Sequence, residues 1–263
     1  MRFASLGSGS EGNALVVESH AGGTVTRVLV DCGFGVRECA RRLARLGLAP
    51  ADLHAVVVTH EHSDHVHGVL ALAHRHGLPV HLTFGTAQAS RLLDALDPAL
   101  LRIIDAHRPF AFRDLWFEPF PVPHDAREPV QYVVDDGHGR LGVLTDLGHA
   151  TGVLPEALSR LDALVLECNH DPGLLADSVY PPMLKRRIAG RYGHLANADA
   201  AALLARLDRS RLVRIAAAHL SRSNNRADLA RAALAGALGA AADDILVADQ
   251  DAGLAWQALD SQR

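Results

Sequence analysis

The sequence predicts an α/β fold arranged as a four-layer αββα sandwich, and three observations lead there. Short, β-branched apolar runs of strand length alternate with longer amphipathic segments of helical spacing. These runs fall into two halves, a strand-rich one to about Phe120 and a βα one after it. Two halves that each supply a sheet and outer helices stack as four layers. Clusters of histidine and carboxylate follow directly on apolar runs, at the carboxyl edge where α/β sheets bind ligands. The 263 residues hold no linker, low-complexity tract or short repeat, so residues 1–263 are expected to form a single domain.

Taken in order, Phe3–Leu6 reads as a strand, and Gly7–Asn13 connects it to a second strand over Ala14–Glu18. That Gly/Ser stretch has two readings, a flexible hairpin loop or a nest of backbone N–H groups able to hold a phosphate. Val25–Val30 is a third strand; Asp31 at its end either caps a turn or buttresses a metal-ligating histidine. Val36–Leu46 has the spacing of an amphipathic helix with an arginine-rich outer face. Ala55–Val58 is a buried strand, and Val66–Gly77 a helix with Val66, Val69, Leu70 and Ala73 on one face. Strands at Leu78–Leu82 and Leu101–Ile104 flank a helix over Thr86–Leu96. Leu115–Phe120 ends the first half as a strand, and in the second half strands are expected at Gln131–Val134, Leu141–Leu144, Ala163–Leu166, Leu212–Ala217, Ile245–Ala248 and Gly253–Gln257. Helices are expected over Gly152–Leu161, around Lys185, over an alanine-rich stretch to about Leu207, and over Arg226–Leu238.

The chemistry centres on Thr59-His60-Glu61-His62-Ser63-Asp64-His65, where a strand gives way to a helix. Three histidines and two carboxylates fall within six consecutive positions there. His60 and His62, two apart on an extended turn, can point to one side, while Asp64 and His65 aim at a neighbouring point. Imidazole and carboxylate are ligands for Zn²⁺, Mn²⁺ or Fe²⁺, and two adjacent ligand pairs suggest two ions. A solvated, histidine-rich loop is the competing reading in a chain with 16 histidines. The strand before, the spacing within and the helix after favour the metal reading. His124 and Asp146 also stand at the ends of apolar runs, where Asp146 could serve equally as a helix N-cap.

His60-Glu61-His62-Ser63-Asp64-His65 resembles the HxHxDH signature of the metallo-β-lactamase superfamily. The resemblance runs from Asp31 to His219. It implies a ligand set residue by residue: His60, His62 and His124 for one metal, Asp64, His65 and His219 for a second, and Asp146 bridging them. Asp31 would stand behind as a buttress, and the cofactors would be two divalent ions, Zn²⁺ or Mn²⁺. Gly193-His194-Leu195-Ala196-Asn197 and His219-Leu220-Ser221 resemble the phosphodiesterase branch that includes ribonuclease Z. With Ser8-Gly9-Ser10-Glu11-Gly12-Asn13, Asp171 and Asn224-Asn225, the chain is most similar to the YycJ/WalJ group of bacterial nucleases. It leaves no room for a β-CASP insertion between Asp146 and His219 and has no evident tRNA-clamping arm, unlike ribonuclease J and ribonuclease Z proper.

This resemblance implies a dinuclear metal-dependent phosphodiesterase that hydrolyses nucleic acid, DNA in preference to RNA, as a 5′-to-3′ DNA exonuclease. The nucleophile would be hydroxide activated by the two ions. His194, Glu167 and Asp64 would be catalytic, with His194 protonating the leaving oxygen and Glu167 holding its ring. Expected substrate contacts are Ser8, Ser10, Asn13, Lys185, Arg222, Asn224 and Asn225, with Arg186, Arg187, Arg191 and Arg226 as further candidates for a phosphate groove. The alternative is a metallohydrolase of a small ester, thioester or lactam, which requires neither the His194 segment nor the basic helix.

Composition bounds these readings. Hydrophobic residues make up 49% and charged ones 21%, ordinary for a folded chain. A net charge of −4 argues against a surface coated in positive charge, though not against a local basic groove. Cys32, Cys39 and Cys168 form no CxxC pair, which fits a reducing compartment. No run approaches the roughly 18 apolar residues of a membrane span, and no signal region precedes the first strand. The expected location is cytoplasmic, away from the membrane.

Overall fold

Continuous apolar runs such as Ala55–Val58 and Ala163–Leu166 are what a strand covered on both faces requires. The computed structural model, which describes residues 1–259, uses them in that way. The first sheet takes β1 (Arg2–Gly7), β2 (Ala14–Ala21), β3 (Thr24–Val30), β4 (Ala55–Val57), β5 (Val80–Thr83) and β6 (Leu101–Ile104). The second takes β7 (Phe110–Phe112), β8 (Leu115–Pro121), β9 (Val130–Asp135), β10 (Arg140–Leu144), β11 (Ala163–Glu167), β12 (Arg214–Ala218) and β13 (Leu246–Val247). The last strand, β14 (Leu254–Ala258), returns to the first sheet beside β1. Each sheet has seven strands, in the orders β14-β1-β2-β3-β4-β5-β6 and β13-β12-β11-β10-β9-β8-β7. Helices α1 (Val36–Ala44), α2 (Ser63–Val66), α3 (Val69–His76), α4 (Phe84–Ala89) and α5 (Leu92–Ala95) belong to the first half. In the second half are α6 (Leu154–Ala157), α7 (Pro172–Asp177), α8 (Pro182–Ile188), α9 (Asn197–Arg206) and α10 (Ala227–Leu238).

Period-two alternation sorts the side chains into three buried layers. Val28, Val30 and Val57 of the first sheet meet Tyr132, Val165 and Ala216 of the second between the sheets. Their neighbours Leu29 and Val56 turn outward under Leu43 of α1 and Leu72 of α3. On the other side Leu164 and Leu166 pack with Leu203 and Leu204 of α9 and Leu234 of α10. Helix, sheet, sheet, helix is the expected αββα order. Each fully buried Leu or Val contributes roughly 1.5–3 kcal/mol, which makes a strand buried on both faces a rigid support for the loop at its carboxyl end.

Strand direction brings the loops to one edge. β1 and β3 run antiparallel to β2, while β3, β4, β5 and β6 run parallel. In the second sheet β8 and β10 both oppose β9, and β10 to β13 are parallel. The carboxyl ends of β1, β3, β4, β8, β10, β11 and β12 therefore share one rim. Two bonds tie the central motif to the opposite sheet. Tyr132 Oη donates to the Val58 carbonyl at 2.8 Å, and the Val130 N–H donates to the Thr59 carbonyl at 3.0 Å.

Several expected helices are shorter than their apolar spacing suggested. The Val66–Gly77 helix divides into α2 and α3 at Gly68, where a Cβ would lie 1.9 Å from the Phe34 carbonyl oxygen. The Thr86–Leu96 helix breaks at Arg91, which takes the left-handed conformation with φ 60°. Only Leu154–Ala157 of the Gly152–Leu161 segment is α-helical. Strand β7 was not anticipated; its three residues pair with β8 through a turn at Arg113. No helix among the described residues is long and apolar enough to cross a membrane.

One carboxylate outside the site links stability to pH. Glu18 on β2 is buried and accepts from Arg2 Nε at 2.6 Å and Arg27 Nε at 2.6 Å, with His20 Nε2 at 2.7 Å. Burial alone would raise its pKa, but these three partners bring it from 4.5 down to about 2. The stabilisation is thus present above pH 4.5 and is lost as pH falls toward 2. Glu18→Gln should cost about 1–3 kcal/mol at pH 7. In urea titrations the gap from wild type should narrow between pH 4.5 and pH 3; a gap constant with pH would rule out this linkage.

Candidate metal centre and cleft

The histidines and carboxylates expected to bind metal leave the ends of strands in both sheets. His60, His62, Asp64 and His65 follow β4, His124 follows β8, Asp146 follows β10 and His219 follows β12. Asp31, Asp146 and His219 take left-handed backbone conformations, with φ of 61°, 54° and 56°. Asp and His tolerate that region better than β-branched residues do, and such strain clusters where a site over-determines it.

The structure brings all seven together. Donor atoms of His60, His62 and His124 lie within 4.8 Å of one another, as do those of Asp64, His65 and His219. Asp146 joins His60 and His65 in a third group of the same tightness, one residue from each triad. The ring orientations are fixed from behind. His65 Nδ1 lies 2.8 Å from Asp31 Oδ2, and Asp31 also accepts from the Thr59 N–H and hydroxyl, both at 2.8 Å. His124 Nδ1 donates to the Gly193 carbonyl at 3.0 Å. Each of these turns Nε2 toward the centre.

Whether a cation fits can be judged from the groups left unsatisfied. Among the described residues, His60 Nε2 and both oxygens of Asp146 are buried without a hydrogen-bond partner. Buried polar atoms are ordinarily paired, and a divalent cation would satisfy all three. The donor chemistry agrees, since nitrogen and carboxylate oxygen are the ligands of divalent transition metals. Charge is arranged to match. Burial and then the neighbouring His65 hold His60 well below its usual pKa, so its ring is a neutral donor. Burial opposes ionisation of Asp146, but His219 and His65 hold it well below the carboxylate range. Burial also works against a charge on His219, yet Asp146, Asp64 and Glu167 push it up to about 10. A cation therefore competes with a proton there.

Beside these ligands lies a second pair. Glu167, at the end of β11, is buried, and its Oε2 accepts from the Leu147 and Leu195 N–H groups at 2.7 and 3.2 Å. Its Oε1 is 2.7 Å from His194 Nδ1. Burial opposes the charge on both, but their mutual attraction prevails: Glu167 falls to about 2 and His194 rises. His194 stacks on His219 with ring centroids 5.2 Å apart, and it borders a cleft of about 380 Å³ shared with Asp64, Asp146, Ser10 and Arg187.

The expected substrate contacts fare differently. Ser10 is exposed and lines the cleft. Ser8, Asn13, Asn224 and Asn225 are buried and bonded internally, although Asn224 Oδ1 has no hydrogen-bond partner among the described residues. Asn225 Nδ2 donates to the Cys168 carbonyl and to Asn197, which pins separate loops together, while Asn224 Nδ2 donates to Ser221 Oγ within its own loop. The Gly/Ser stretch is not an open nest either, because the N–H groups of Gly9, Glu11, Gly12 and Asn13 already have partners. Lys185 caps α7 by donating to the Ala176 carbonyl at 2.6 Å. Arg222 is held by Asp251 and Glu11, outside the cleft. Of the expected basic contacts, Arg187 is the one that lines the cleft, anchored to Asp125 at 2.6 Å. Leu184, Arg187 and Ile188 share one face of α8, and all three line the cleft. Asp125 itself was missed, although it directly follows His124 and places its carbonyl 3.2 Å from His62 Nε2. Tyr180 on the same wall was missed too, and nothing in the sequence marked it.

Two mixed sheets that meet at a rim of histidines and carboxylates, beside a carboxylate–histidine pair and an open cleft, define a metal-dependent hydrolase. Residues 26–215 match the family model described as a beta-lactamase superfamily domain. The chain is 34% identical over 232 residues to the exodeoxyribonuclease WalJ of Streptococcus pneumoniae, covering 87% of this chain and 85% of that one. It is also 34% identical over 232 residues to the exodeoxyribonuclease YycJ of Bacillus anthracis, covering 88% and 86%. Among solved structures, the metallo-β-lactamase fold protein YhfI from Bacillus subtilis superposes with a TM-score of 0.73 at 17% identity, over 97% of this chain and 98% of that one. The chain belongs to the metallo-β-lactamase superfamily, in the group of WalJ and YycJ.

Proposed function

We propose that this protein is a DNA exonuclease, a metal-dependent phosphodiesterase that uses two divalent ions, Zn²⁺ or Mn²⁺. The names of the WalJ and YycJ relatives support a DNA substrate, and the resemblance alone supports 5′-to-3′ polarity. The observation that carries the reading is His194, held by Glu167 at 2.7 Å on the wall of the cleft that Asp64, Asp146 and His219 also line. A small ester with a good leaving group has no need of such a proton donor.

His60, His62 and His124 would hold one ion, Asp64, His65 and His219 the other, with Asp146 between them. Bound there, the ions supply Lewis acidity, lowering the pKa of a water and offsetting phosphate charge. The chain does the rest. Glu167 fixes the His194 ring through Nδ1, leaving Nε2 to deliver a proton to the departing sugar oxygen. Arg187 lies where a guanidinium can donate to a phosphate oxygen of the strand. Ser10 and Ser63 supply hydroxyls at the mouth of the cleft.

End-labelled single- and double-stranded DNA and RNA, incubated with Mn²⁺ or Zn²⁺, test this directly. Nucleotides should be released from DNA, from one end, and His62→Ala should abolish the release. A metal-loaded wild type that cuts no polymer would return the choice to a small-ester hydrolase.

A further inference from the structure

Ser8 and Asn13, which do not reach the substrate cleft, are buried at 6% and 5% exposure, yet fully bonded. We propose that they form a clamp that registers the second donor triad across the sandwich, making Asn13 a positioning residue for Asp64 and His219. The clamp rests on the two-ion reading of the site.

The triad is assembled from two sheets. Asp64 and His65 follow β4 of the first sheet and His219 follows β12 of the second. Nothing in either sheet's own ladder sets the distance between them. The loop between β1 and β2 does. The Ser8 hydroxyl accepts the His219 N–H at 2.9 Å and donates to Asn13 Oδ1 at 3.1 Å. The Gly9 N–H also donates to Asn13 Oδ1, at 2.9 Å, so the amide can face only one way. Of the two hydrogens on Nδ2, one donates to the Gly9 carbonyl at 3.0 Å and the other faces the triad, with Nδ2 3.3 Å from Asp64 Oδ2 and 3.1 Å from His65 Nε2. The backbone repeats the grip, with the Asn13 N–H donating to the Asp64 carbonyl at 2.7 Å. Gly33 closes the far side, where a Cβ would lie 1.8 Å from that same carbonyl oxygen.

The grip is one-sided. Among the described residues, neither Ser8 nor Asn13 bonds to His60, His62 or His124. The clamp should thus act on the second ion and spare the first. Partners that orient ligands from behind typically carry about 10–100-fold in metal affinity.

The test is ion uptake, followed by calorimetric titration with Mn²⁺ or Zn²⁺ and by elemental analysis of the loaded protein. Wild type should take up two ions. Asn13→Ala should keep the first at wild-type affinity and bind the second about 10–100-fold more weakly, with an unchanged circular dichroism spectrum. A purely structural role would weaken both ions or neither. Should Asn13→Ala fail to fold, Ser8→Ala probes the clamp from the His219 end, and selective weakening of the second ion supports it. Two ions at wild-type affinity in the folded variant overturn the clamp alone. A wild type that takes up one ion overturns the two-ion reading and the clamp with it.

Discussion

Asp146→Asn is expected to strip the protein of most of its metal and to slow turnover roughly 10⁴-fold, about 5.5 kcal/mol in the barrier. The expectation comes from position. Asp146 Oδ2 lies 3.1 Å from His65 Nε2, while Oδ1 lies 3.5 Å from His219 Nε2 and 3.8 Å from His124 Nε2. It is the carboxylate that touches both triads. Asparagine keeps its volume and tolerates the left-handed backbone at φ 54°, so the substitution isolates charge from shape. It removes one acceptor and the negative charge, and it turns an NH₂ toward imidazoles that must stay available to a cation. Elemental analysis and kcat should fall together. The metal-free protein should unfold near the wild-type midpoint, while the extra stability that added metal confers on the wild type is lost. Wild-type metal content with wild-type kcat would show that Asp146 does not join the two sites.

How much of this was legible depended on whether a residue's role is set by its own strand or by a distant one. The motif from His60 to His65 was readable because its position is dictated by the strand before it. The same holds for Asp31, Asp146 and His219, each directly after an apolar run that both faces of a sheet had to bury. The sandwich was readable for the same reason: Ala163–Leu166 makes sense only between two covers. The helix breaks were not, because Gly68 is required by the Phe34 carbonyl of another loop, and no local pattern announces it. Asn224 and Asn225 were put forward on the resemblance alone, which carries no information about their burial. Here both are buried: Asn225 joins the loops after β11 and β12, and Asn224 Nδ2 bonds Ser221 within its own loop. Lys185 and Arg187 sit two apart on one short helix, and a count of charges could not choose between them. The apolar neighbours of Arg187 at three residues before and one after did, once α8 was known to border the cleft.

His194→Ala separates proton delivery from metal binding, and the leaving group is the lever. His194 is held at Nδ1 by Glu167 and stacks on His219 without belonging to either triad of the two-ion arrangement. The variant should therefore retain wild-type metal content. Cleavage of DNA expels a sugar alkoxide, a poor leaving group, and should slow by about 10²–10⁴-fold. Hydrolysis of a p-nitrophenyl phosphodiester expels an anion that is stable without protonation, and it should slow by less than about 10-fold. Glu167→Gln should show the same selectivity at smaller amplitude, since glutamine can still accept the Leu147 and Leu195 N–H groups that hold the loop. Equal losses on both substrates would mean that His194 shapes the site rather than donating a proton. Loss of metal would make it a ligand, which its place in a fourth group with Asp146, Glu167 and His219 would then explain. The selective outcome assigns the acid, and with it explains why this rim carries a buried carboxylate–histidine pair that hydrolysis of an activated ester would not need.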